Sequence, residues 1–162
     1  MYREQYKQGQ TEYFISMNES MKNVLAEYGV DYKSLQQATT LPLRLSKYIE
    51  GGIGKLKDTD CYTWKNLKSF EFFYPDSTGN EYSNNKVHIG AERGMAKTLA
   101  TSLEFAFAIA GLLGGISDSF NVVASYDGTD FTVSFYCKRN TEEWLADDLD
   151  SYAEEAIFVI TT

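Results

Sequence analysis

"SFNVVASYDGTDFTVSFYC", residues 119–137, reads as two strands around a short polar insert. Phe120, Val122, Ala124 and Tyr126 fall on one face of the first strand. Phe131, Val133, Phe135 and Cys137 fall on one face of the second. Asp127-Gly128 between them tolerates the positive φ that a tight turn demands. A β-hairpin is therefore expected here, and with it a sheet.

Outward from the hairpin, "AIFVITT" (156–162) is rich in β-branched residues and predicts a final strand. Upstream, residues 91–113 predict a helix with Met95, Leu99, Leu103 and Ala110 along one side. Beyond residue 103 it is apolar on most sides, which implies burial. The alternation of Phe105, Phe107 and Ile109 leaves a strand as the competing reading for part of it. Residues 18–28 predict a second, shorter helix, capped by Asn18 and stopped at Gly29, with Met21, Val24, Leu25 and Tyr28 on one face. "PLRLSKYI" (42–49), "SFEFFY" (69–74) and "KVHIG" (86–90) predict strands, the last two joined by a polar loop, "PDSTGNEYSNN". Strands and helices follow no regular βαβ rhythm, and no repeat or linker divides the chain. The expectation is an α+β fold in a single domain, 1–162: a mostly antiparallel sheet packed against a buried central helix and a shorter N-terminal helix.

The chain's charge has a location. All 15 Lys and Arg lie within residues 1–140, yet seven of the 23 acidic residues lie within 141–162, so most of the formal −8 sits at one end. Such a field speeds encounter with a basic partner and repels nucleic acid. "NTEEWLADDLDSYAEEAIFVITT" (140–162) carries it. Asn140 or Thr141 suits a helix N-cap, with Glu143 in the capping-box position. Leu145, Leu149, Tyr152 and Ala156 share one helical face, and Glu143, Asp147, Asp150 and Glu154 another. A helix with an acidic stripe is expected, although its like charges and the acids at its negative end favour a break near 147–150. Such a stripe reads either as a solvated face or, with Trp144 and Tyr152, as a docking surface for a basic protein. Trp144 itself reads as core packing or as an interface anchor.

The sequence carries no recognisable catalytic signature. "GGIGKLKD" (51–58) lacks the leading Gly and trailing Ser/Thr of a phosphate loop and reads as a turn. The one histidine, His88, has no metal-ligand spacing around it, so neither metal nor cofactor is expected. A pair with Cys61 or Cys137 would need the fold to bring them together. The two cysteines have no CxxC spacing and are expected as free thiols in a reducing compartment. The N-terminus has no secretory apolar region, and "LEFAFAIAGLLGGI" (103–116) is shorter than the roughly 20 residues that span a bilayer. Together these predict a cytoplasmic protein with no membrane partner.

"YDGTDFTVSFYCKRNTEEWLADDLDSYAEEAIFVI" (126–160) resembles the C-terminal part of bacterial immunity proteins from polymorphic-toxin and contact-dependent growth-inhibition systems: strand, turn, strand, a Trp-containing acidic segment, then a strand. The resemblance implies a non-enzymatic protein that neutralises a cognate toxin domain, a basic nuclease in the simplest case, by direct binding. The contact residues it implies here are Glu142, Glu143, Trp144, Asp147, Asp148, Asp150, Tyr152, Glu154 and Glu155. A small enzyme with a site assembled from scattered residues, or a structural module, remain the alternatives.

Overall fold

The computed structural model describes every residue except 9–10, 38–39 and 91–92, and only the backbone of Gln8. Along the chain run β1 (Tyr2–Gln8), β2 (Thr11–Met17), α1 (Glu19–Tyr28), α2 (Tyr32–Leu35), α3 (Leu43–Gly51), β3 (Ile53–Lys55), β4 (Tyr62–Trp64), α4 (Ser77–Asn84), β5 (Val87–His88), α5 (Met95–Leu113), β6 (Phe120–Tyr126), β7 (Phe131–Cys137), a 3-10 turn (Leu149–Ser151) and β8 (Ala156–Thr161). The fold is α+β.

The expected hairpin forms: β6 pairs antiparallel with β7, Phe120 opposite Cys137 and Tyr126 opposite Phe131. Gly128 takes the required positive φ of 96°, and the Asp127 carboxylate accepts from the backbone N–H of Thr129 (2.8 Å) and Asp130 (2.9 Å). The hairpin sits inside a six-stranded sheet ordered β1-β2-β8-β6-β7-β5, in which every pairing is antiparallel. The strand β8 lies between β2 and β6, so the two ends of the sequence meet near the middle of the sheet.

Both faces of the central strands β8, β6 and β7 are covered, whereas β1 and the outer half of β2 leave one face open, with Phe14 45% exposed. On one side, Phe120, Val122, Ala124, Val133, Phe135, Phe158 and Ile160 pack against α5 in the main core. Within it Trp64 of β4 stacks on Phe105 (5.9 Å between centroids) and meets Phe135 edge-on (5.1 Å). On the other side, Val123, Tyr136, Ile157 and Val159 pack against Tyr82 of α4 and Trp144, Leu145, Leu149 and Tyr152 of the acidic segment. Double coverage explains why "AIFVI" shows no alternation: each of its residues has a wall to face.

The helix α5 runs unbroken through Phe105, Phe107 and Ile109, so the strand alternative there is excluded. It begins at Met95; residues 91–92 of the expected helix lie outside the described residues, and Arg93 and Gly94 are bends. Its 19 residues, with mean hydropathy 1.4, would suffice to cross a bilayer by length and composition. In this fold it is the core helix, with Leu99, Leu103, Phe105, Ile109 and Leu113 buried. The helix α1 forms as expected, Asn18 capping it and Gly29 ending it in the left-handed region (φ 63°).

Five expectations are corrected. "PLRLSKYI" is the helix α3, not a strand: Leu45 is buried while Leu43 stands 69% exposed, so the spacing that matters is three and four residues, not two. "SFEFFY" is an exposed loop rather than a strand, and the polar stretch after it is the helix α4 rather than a loop. Helix α4 is short of good helix formers but is anchored by tertiary bonds. The Asp76 side chain accepts from Gly79 N–H (2.6 Å), and Glu81 and Asn85 reach into the interior. The "GGIGKLKD" turn contains β3, which pairs with β4. Finally, residues 140–155 form no α-helix; a single 3-10 turn occupies the position where a break was expected. Residues 1–17, for which the sequence pattern suggested nothing, supply β1 and β2.

Candidate protein-binding surface

The acidic segment lies across the second face of the sheet, pinned at both ends. At one end Arg139 and Glu142 make an isolated bridge. The Glu142 carboxylate turns inward, accepting from Thr78 N–H (2.8 Å) and Oγ1 (2.6 Å) at the start of α4. Burial opposes the ionised form, but those two bonds and Arg139 hold Glu142 below the usual carboxylate range. At the other end the buried Asn18 amide donates to the carbonyls of Leu149 (3.4 Å), Tyr152 (3.2 Å) and Glu155 (2.6 Å). Its oxygen accepts from Met21 N–H (3.0 Å) and Ile157 N–H (2.9 Å). One side chain thus caps α1 and collects three carbonyls that a helix would have used internally. Like-charge repulsion along the segment points the same way.

Trp144 fills a slot between Tyr74 (centroids 5.1 Å, edge-on) and Tyr82 (5.1 Å, tilted). Beneath it lies Gly79, where an added Cβ would come within 2.8 Å of the indole ring. Gly79→Ala is therefore expected to destabilise the fold by about 1–3 kcal/mol despite the better helix propensity of alanine, because the ring and not a flexible tip must move. Chemical denaturation with Trp fluorescence checks this; an unchanged or raised midpoint would mean that Trp144 is not seated there. Tyr152 is half-buried in the same cluster and accepts from Ala146 N–H at 3.1 Å.

What faces outward is acidic. Glu143, Asp147, Asp148, Asp150 and Glu154 are exposed, and Glu155 is half-buried. Asp148 caps the 3-10 turn through Asp150 N–H (3.1 Å). Asp150 accepts from Glu19 N–H (2.8 Å) and pairs with the amino group of Met1; that amino group, first, and then the Glu19 bond lower its carboxyl from the usual range. Glu143, Asp147 and Glu154 hold no hydrogen bond or ion pair among the described residues. Of the nine expected contact residues, five therefore present a charge to solvent. Trp144 and Tyr152 serve packing at least as much as display, and Glu142 serves structure.

A cavity of about 270 Å³ lies between this segment and the sheet, lined among others by Arg3, Lys138, Asn121, Tyr136, Trp144 and Asp147. Beside it sits an ion pair between the fully buried Glu81 and the largely buried Arg139, whose 58-residue separation hides it from local sequence patterns. Arg139 donates through both terminal nitrogens to Glu81 (2.8 Å each), and Glu81 also accepts from Tyr62 N–H (2.6 Å) and Cys137 N–H (2.8 Å). Cys61 and Cys137 are buried free thiols, and burial is the largest cause raising both, Cys137 to about 11. His88 is an exposed strand residue paired with Asp130 at the sheet edge. It aligns with Thr132, five residues along β7 from Cys137, which is about 17 Å at strand rise. Among the described residues no hydrogen bond joins His88 to either cysteine; the Cys61 thiol faces Ser77 C=O and the Cys137 thiol faces Lys138 C=O.

Residues 16–162 match the profile of the family described as uncharacterized protein PM0498. The chain belongs to that PM0498 family. The match takes in everything from the end of β2 to β8, hence both walls of the acidic surface, and leaves out β1 and most of β2. No curated protein matches this PM0498 family member, and no solved structure does.

Proposed function

We propose that the chain is an immunity protein: it binds a basic toxin domain, a nuclease in the simplest case, and neutralises it in the cytoplasm of the producing cell without catalysis. The observation that carries this reading is a row of exposed carboxylates, Glu143, Asp147, Asp148, Asp150 and Glu154, fixed on a rigid sheet face rather than on a free tail. A nuclease lines its cleft with Lys and Arg to attract phosphates, and a preorganised acidic surface complements such a cleft. The resemblance of residues 126–160 to immunity proteins supports it from a different direction.

The test uses the carboxylates that have no structural duty. Against a basic toxin domain found encoded beside the chain's gene, the E143K/D147K/E154K variant is expected to associate about 10–100-fold more slowly at low salt, with a flattened salt dependence. Its thermal midpoint should be close to that of the parent. An unchanged association rate would sink the electrostatic reading, and failure of the parent chain to bind or protect would sink the immunity reading itself. A second reading, a small enzyme, draws on the polar cavity with Glu142, Glu143 and Asp147 in its wall.

A further inference from the structure

The loop "SFEFFYP", residues 69–75, carries three consecutive exposed aromatic residues, Phe72 (62%), Phe73 (66%) and Tyr74 (40%). It is not a loose loop. Two asparagines one turn apart on α4 each clamp a backbone position of the loop through both atoms of the side-chain amide. Asn84 accepts from Glu71 N–H (2.8 Å) and donates to Glu71 C=O (2.7 Å). Asn80 accepts from Tyr74 N–H (2.9 Å) and donates to Tyr74 C=O (2.9 Å). Backbone donors and acceptors fix both amide orientations. Residues 72 and 73 are what remains between the two clamps, and their rings are turned to solvent. Phe70 braces Phe72 edge-on, with centroids 5.2 Å apart.

Burying two phenylalanine rings would have stabilised the fold, whereas here four hydrogen bonds hold them out. A rigid backbone presenting large apolar rings is what an interface anchor needs, because little freedom is lost on docking. The ridge is continuous with the acidic surface: Tyr74 touches Trp144, which the exposed Glu143 directly precedes. Glu71 and Asp76 flank it, with Asp60 hydrogen-bonded to Ser77 nearby (2.7 Å). Lys65 and Lys68 precede it, and Lys86 lies over Tyr82 (4.7 Å), whereas the exposed residue next to Trp144 in the chain is Glu143 and Asp147 follows three residues on.

We infer that Phe72 and Phe73 are the apolar anchor of the protein-binding face, plugging a hydrophobic depression whose rim, on the side of Trp144, carries Lys or Arg. The inference rests on the proposed binding of a basic protein and names where the tightest part of that contact lies. A second copy of the chain is a poor occupant, since it would bring two acidic faces together.

Dodecapeptides displayed on phage and selected against the full chain supply the probe, with affinities of synthetic hits read by fluorescence polarisation. Enriched peptides are expected to combine aromatic or aliphatic residues with Lys or Arg. Their affinity should fall at least about 30-fold with F72S/F73S, whose thermal midpoint stays at the parent value. It should fall about five-fold with N84A, which frees the loop but keeps both rings. E143K/D147K/E154K should weaken the same peptides at low salt. Basic peptides that bind F72S/F73S as well as the parent would overturn the anchor while leaving the proposed function standing. Apolar peptides without basic residues, or a Phe72-dependent dimer in sedimentation, would overturn the basic partner. So would Phe72-dependent flotation with phosphatidylcholine vesicles, and no enrichment at all would overturn the proposal outright.

Discussion

Glu81→Gln is expected to destabilise the protein by about 3–5 kcal/mol, the usual range for breaking a buried ion pair. The largely buried Arg139 loses its bidentate carboxylate and keeps hydrogen bonds only to the exposed Asp60 carboxylate (3.3 Å) and neutral oxygens of Thr78, Cys137 and Asp60. The substitution keeps shape and volume, so the loss is electrostatic. Glu81 is fully buried, and its two oxygens receive both Arg139 nitrogens and the backbone N–H groups of Tyr62 and Cys137. Glutamine has one acceptor oxygen where four donors converge, and its NH₂ must then face an N–H. Arg139 meanwhile is held above its ordinary value: burial opposes the charge, but Glu81 more than offsets it. Replacing both partners with apolar residues, as in E81L/R139M, should recover only part of the loss. The two backbone N–H groups remain orphaned at about 1–3 kcal/mol each. Urea denaturation of the three proteins decides the matter. A single-variant loss under about 1 kcal/mol would mean that Glu81 is neither buried nor shared between β4 and β7.

Asn18→Ala should be nearly as damaging, by about 3–4 kcal/mol, or a fall of roughly 6–16 °C in Tm for a chain of this size. Loss of the α1 cap contributes about 1 kcal/mol. The remainder comes from the Ile157 N–H and the carbonyls of Leu149, Tyr152 and Glu155, which lose a partner where water has little access. The two large effects differ in where they act. Glu81 ties α4 to the sheet, whereas Asn18 ties the acidic segment to α1. In the Asn18 variant, limited proteolysis should begin within residues 140–155 well below global unfolding. If cleavage instead appeared uniformly with unfolding, the segment would be held by something other than this side chain.

The parts of the fold that could be seen in the sequence were those governed by local rules. The hairpin at 120–137 has clean alternation and a Gly at the one position needing positive φ; α1 has its cap and stop; α5 has a long apolar run that demands removal from water. Illegible parts were decided by contacts between distant residues. Nothing in "STGNEYSN" favours a helix; Asn80, Glu81 and Asn84 make one by bonding to residues 71, 74, 62 and 137. The periodicity of Leu145, Leu149 and Tyr152 did mark the apolar residues of the acidic segment, but their wall is a flat sheet, and Asn18 took the carbonyls a helix required. For the surface itself, sequence alone located the charge correctly and misjudged its scaffold. The Phe72–Phe73 ridge was missed because "SFEFFY" satisfies a strand pattern equally well; only the paired asparagines downstream could have hinted otherwise.

The position of β8 has a bearing on how the molecule is made. Because residues 156–161 separate β2 from β6, the N-terminal hairpin has no sheet to join while the chain is still emerging from the ribosome. Met17, Ile15 and Tyr13 therefore gain their β8 neighbours only after more than a hundred further residues have been added, a high contact order that slows completion of the sheet.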